Sequence, residues 1–100
     1  MRRAASTYEA TTNARRKYAE NIFDIATVAA SILDRAEEGY RLLRINQEYP
    51  FDLSTTDAAQ ALEEWLEHEG YRYAWKATPE IVDPFRPSSE FEYPELVIFW

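Results

Sequence analysis

The chain has no cysteine, two glycines, one histidine and one methionine among its 100 residues. Without cysteine there is no disulfide framework and no thiolate metal site. The glycines, Gly39 and Gly70, each fall where a helix is expected to end, which leaves none for a glycine-rich loop that cradles phosphate. His68 sits between Glu67 and Glu69 and four residues after Glu64. A di-metal bundle asks for Glu and His three apart on two helices, so the lone imidazole reads as a cation at a helix C-terminus.

Catalytic groups are equally sparse. No serine occupies a nucleophile elbow. The neighbouring pairs Glu37/Glu38 and Glu63/Glu64 point apart on a helix and read as solvated faces. The expectation is a protein that is not an enzyme and takes neither metal nor cofactor. Nowhere do 18 apolar residues run together, which excludes a spanning helix. The opening Met-Arg-Arg-Ala-Ala-Ser-Thr-Tyr-Glu has no apolar run of the kind a secretion signal needs. A soluble, cytoplasmic protein is the expected class.

What the chain does have is a core. Apolar residues make up 46%, with three Trp, seven Tyr and five Phe, enough for one packed domain over 1–100 that buries about 60 to 70% of its unfolded surface. Tyr18, Ile22, Ile25, Ala29, Ile32 and Ala36 alternate steps of four and three, predicting one long helix. Ser6 and Glu9 have capping-box spacing at its start. Its end is open between two positions: a left-handed stop at Gly39, or continuation through Tyr40 and Leu43 to about residue 45, with Gly39 inside at a cost of about 1 kcal/mol. Phe23, Ala26, Ala30 and Leu33 widen the apolar face, and the alanines leave its middle thin.

Pro50 makes 48–53 an extended connector. Ser54 then starts a second helix, 54–69, with Asp57 in capping-box position, a stripe of Ala58, Ala61, Leu62, Trp65 and Leu66, and Gly70 after its end. Residues 71–78 alternate aromatic and other side chains and predict a strand. Residues 94–100 predict another, apolar on both faces and hence central or covered twice. A proline-rich loop, 79–93, joins them, with Ile81-Val82 as a candidate third strand. The expected fold is α+β: one long and one shorter helix on a small, mostly antiparallel sheet of two to three strands.

Charge divides unevenly. Residues 1–45 balance to +2 and residues 46–100 to −9. The acidic half repels phosphate backbones and attracts basic protein surfaces, so direct nucleic-acid binding is not expected. The basic cluster Arg15, Arg16 and Lys17, with Arg2 and Arg3, reads as a solvated helix start, since no aromatic or glycine platform accompanies it. Tyr71, Tyr73 and Trp75 read as core.

The candidate partner-binding residues are Glu63, Glu64, Glu67 and Glu69 on the second helix, with Glu80, Asp83, Glu90, Glu92 and Glu95 beyond it. Acids late in a helix oppose its dipole, so a partner is a better reason for them than the helix itself. The leading expectation is a small acidic protein-binding domain, an inhibitor or decoy mimicking nucleic-acid phosphate for the basic surface of a larger protein. In size and charge alone it resembles phage inhibitors directed at host defence or nucleic-acid-binding proteins. The rival is an assembly protein that forms a homodimer through a seam of Ile22, Ile25, Ala29 and Ile32.

Overall fold

A computed structural model describes residues 3–77 and 93–100. Its helices are α1 (Arg3–Ile22), α2 (Ile25–Glu37) and α3 (Asp57–His68). Its strands are β1 (Leu42–Arg44), β2 (Arg72–Ala77) and β3 (Pro94–Phe99). They form one antiparallel sheet in the order β1-β3-β2, the small α+β fold expected.

The long helix is broken, though not at Gly39. Asp24 lies between α1 and α2 in an extended conformation, and its carboxylate accepts from the backbone N–H of Thr27 at 3.0 Å and the Thr27 hydroxyl at 2.8 Å. An Asp in this position caps a new helix. The apolar spacing concealed the break because Ile22 and Ile25 stay three apart across it. Ser6, expected to start the helix, lies inside α1.

Gly39 does stop α2. Its φ is +97°, its N–H donates to the Ala36 carbonyl, and the Tyr40 N–H reaches back to Arg35, the paired bonds of a left-handed helix end. Residues beyond it are therefore not helical. Leu42–Arg44 form β1, with Leu43 facing Ile98 in register. This is the sheet's third strand, and Ile81-Val82, expected in that role, lies outside the described residues.

The second helix starts later than Ser54. Thr56 is the cap, accepting from the Ala59 N–H, while Ser54 is held in a turn by the Asp52 carboxylate. The buried stripe of α3 is Ala59, Leu62 and Leu66. Ala61, expected in it, is exposed.

The core joins Ala19 and Phe23 from the end of α1, Val28 and Ile32 of α2, Leu43, Leu53, the α3 stripe, and Leu96 and Ile98 of β3. As its double-sided apolar pattern implied, β3 is the central strand. Glu95 within it is only 4% exposed. Its carboxylate accepts from Arg44 Nε at 2.7 Å and from the Gln47 N–H at 2.6 Å, and Arg44 continues to the Ala77 carbonyl. Glu95 is thus an internal tie, and its expected place on a partner-binding face is corrected.

Removing the buried Glu95 carboxylate leaves the half-buried Arg44 without its charge partner and the Gln47 N–H without its acceptor. Glu95→Ala should lower the unfolding free energy by about 3–5 kcal/mol in urea titration; a loss under about 1 kcal/mol, as for an exposed pair, would contradict the tie. The hydrogen bonds from Thr27 hold the Asp24 carboxyl below its ordinary value of 3.8. Its capping contribution is therefore present above that pH and is lost as pH falls through the lower folded value. Asp24→Asn should flatten the stability curve in that acid range.

Candidate functional site

The candidate face is built where α3 lies on β2. Leu62 and Leu66 turn into the core, so Glu63 and Glu67, each one residue further round the helix, emerge along the same border four residues apart. On β2, Tyr73 and Trp75 are two residues apart and share one face of the sheet.

Their polar tips meet the carboxylates. Trp75 Nε1 donates to Glu63 Oε1 at 2.8 Å. The Tyr73 hydroxyl donates to Glu67 Oε1 at 2.7 Å and lies 3.4 Å from Glu63 Oε2. Phe23 meets the Trp75 ring edge-on at a centroid distance of 5.7 Å, so the indole is braced from the core side. The rings thus pack on the core, as expected, while their N–H and O–H groups fix two acids at the surface.

The Tyr73 hydroxyl is pushed up to about 12, first by its hydrogen bond to Glu67 and then by burial and the charge of Glu63. A proton donated to a carboxylate is harder to remove. The donor therefore persists until the pH approaches about 12. Among the described residues no Lys or Arg forms an ion pair with Glu63, Glu64 or Glu67.

Glu64 and Glu69 are also exposed. Glu69 lies 3.6 Å from His68 Nδ1, so the imidazole turns towards it at the end of α3. Three of the nine candidate acids therefore share α3 and Glu69 caps its end, Glu95 is internal, and Glu80, Asp83, Glu90 and Glu92 lie outside the described residues. Among the described residues no group of three or more His, Asp or Glu is arranged to hold a metal, and no helix is long and apolar enough to cross a membrane.

The expected dimer seam is dispersed. Ile32 is 4% exposed within its own core and Ile22 packs against it, while Ala29 is half-buried and Ile25 stands 36% exposed at the start of α2. The break at Asp24 divides the row between two helices, so it is not one continuous outward stripe.

A second feature escaped the sequence pattern. Thr12, Arg15 and Arg16 of α1 border an open groove of about 300 Å³ whose other side is Asp52, Thr55, Thr56 and Asp57 at the start of α3. Arg15 is anchored there, its guanidinium 4.7 Å from the Phe51 ring centroid. Sequence spacing gave no signal for it, since its walls are forty residues apart.

No protein-family model, curated protein or solved structure matches the chain. The fold defines its class, a small α+β domain, and the reading of its function rests on the face described above.

The Tyr73 hydroxyl should titrate near 12 rather than 10.0 in an ultraviolet titration. Because this folded value is raised, its contribution to stability is present below pH 10.0 and is lost as pH climbs towards 12. A Tyr73→Phe variant that leaves the step near 12 in place would contradict the assignment.

Proposed function

We infer that the chain is a non-enzymatic protein-binding domain whose acidic α3–β2 face docks a basic surface of a larger protein, as an inhibitor or decoy standing in for nucleic-acid phosphate. The observation that supports this reading most is the fixing of Glu63 and Glu67 by Trp75 and Tyr73. Long acidic side chains free in solution lose rotamer freedom when they bind, at a cost of about 0.5–1.5 kcal/mol each. Carboxylates already held by neutral donors avoid much of that cost and keep their full charge, as phosphate groups on a stiff backbone do.

The donors also explain why these acids tolerate the negative end of the helix dipole. With Glu64 and Glu69 beside them, the end of α3 carries four carboxylates, and among the described residues no Lys or Arg forms an ion pair with them. A basic partner completes the charge balance and is steered to the face from a distance. A phage inhibitor of a host defence or nucleic-acid-binding protein is one setting in which such a decoy operates, an analogy of size and charge.

The test uses the immobilised chain and a bacterial lysate. DNA-binding proteins should be retained at low salt, displaced by added duplex DNA, and released at about 1 M salt, where the screening length falls to about 3 Å. The triple variant Glu63→Lys, Glu64→Lys and Glu67→Lys should reduce retention by about tenfold or more. Retention that survives both high salt and the triple reversal would overturn the reading.

A further inference from the structure

Strand β2 bounds the sheet on one side. In the order β1-β3-β2 it pairs with β3, and no described strand lies beyond it. The backbone groups of an antiparallel strand alternate, one residue turned towards a given neighbour and the next turned away. Bonds flanking the β1–β3 pair fix the phase of that alternation. The Ile45 N–H donates to the Leu96 carbonyl and the Trp100 N–H to the Arg41 carbonyl, so Leu96, Ile98 and Trp100 turn towards β1. Glu95, Val97 and Phe99 therefore turn towards β2, where they stand opposite Lys76, Ala74 and Arg72. Tyr73 and Trp75, lying between these, turn their N–H and C=O groups outward, to the free edge. Such a row of backbone donors and acceptors is a template for another strand.

The same two residues hold the acids. The Tyr73 hydroxyl donates to Glu67 and Trp75 Nε1 to Glu63. A strand added antiparallel sets one residue opposite Tyr73 and another, two positions along, opposite Trp75, each on the same face as its neighbour with Cβ atoms about 4.5–5.5 Å apart. An arginine in either place runs beside the ring and ends near the carboxylate. The intervening residues fall on the other face, beside Arg72, Ala74 and Lys76, where a basic side chain is repelled. The edge therefore fits a strand with basic residues at every second position and uncharged ones between.

A second copy does not fit it. Joining two β2 strands through Tyr73 and Trp75 of each sets the Tyr73 of one opposite the Trp75 of the other. That register brings Glu67 towards Glu63 on one face and Arg72 directly opposite Lys76 on the other, twice by symmetry. Like charges in those positions are destabilising.

We propose that the partner of the acidic face docks by strand addition: an extended segment with arginine or lysine at alternate positions pairs with the outer edge of β2, its backbone bonded to Tyr73 and Trp75 and its basic side chains laid against Glu67 and Glu63. This rests on the function proposed for that face and adds the form in which the partner presents its charge. Main-chain hydrogen bonds supply affinity, and the alternate side chains supply specificity.

Amide hydrogen exchange, read residue by residue in proton–nitrogen spectra, tests it with two peptides of equal composition. One alternates threonine and arginine; the other carries its arginines in a single block. In the free chain the Tyr73 and Trp75 amides should exchange fast, while those of Ala74 and Lys76, turned towards β3, exchange slowly. The alternating peptide, at about ten times its dissociation constant, should slow the Tyr73 and Trp75 amides about tenfold. It should also bind more tightly than the block peptide by about tenfold, a difference of about 1.4 kcal/mol. Tyr73 and Trp75 amides already protected in the free chain, equal binding of the two peptides, binding that leaves those amides exposed, or no binding of either would each overturn the proposal. Retention from the lysate separates this from the function it rests on. A chain that retains DNA-binding proteins yet shows no amide protection loses strand pairing alone, and one that retains none loses the acidic docking face as well.

Discussion

One buried carboxylate holds the sheet to its surroundings. Glu95 lies in the central strand, yet its oxygens reach Arg44 on one neighbour and the backbone of Gln47 in the connector, and Arg44 spans to the Ala77 carbonyl on the other neighbour. Two edge strands, one of them only three residues long, are thereby tied across the middle by a charge-assisted network. The connector gains the same fixity from other directions: Tyr93 donates to the Gln47 carbonyl, Tyr18 accepts from the Glu48 N–H, and Tyr18 packs edge-on against Tyr49 at 5.0 Å. With the connector pinned, Leu53 is fully buried and α3 begins where it can lie on β2.

The outward face follows from that placement. Once Leu62 and Leu66 are committed to the core, helix geometry puts Glu63 and Glu67 over the rim of β2, and strand geometry puts Tyr73 and Trp75 beneath them. Aromatic rings that close one edge of the core then use their polar ends to hold acids at the surface. Packing and charge are one arrangement here: the same two side chains bury apolar area and preorganise a negative surface. Burial alone would leave the glutamates mobile, and hydrogen bonding alone would leave the rings without a floor.

Local signals in the sequence were read well where one element decides them. The antiparallel α+β class, the strand at residues 71–78, the central position of the last strand and the stop at Gly70 all follow from patterns within ten residues, whereas those patterns left Gly39 open between a stop and an interior position. The break at Asp24 was hidden because a capping aspartate sat inside an unbroken apolar rhythm, and the rhythm is the louder signal. β1 was hidden because Tyr40 to Ile45 continues helical spacing, and only pairing with residues more than fifty positions away makes it a strand. Glu95 illustrates the same limit from the site's side. Its neighbours suggested an acidic loop, whereas burial in a central strand beside an arginine from β1 is a tertiary event. Period-two alternation points Tyr73 and Trp75 to the core, while their second role depends on the register of α3 over β2.

The most direct measurement of the fixed acidic face is the indole N–H resonance of Trp75, one of three tryptophans in the chain. In a proton–nitrogen spectrum it should exchange slowly with solvent and shift when Glu63→Gln removes the negative acceptor, while the indoles of Trp65 and Trp100 stay in place. A Trp75 indole that exchanges like free tryptophan and ignores that substitution would mean that the glutamates are loose, and the preorganised face would not exist.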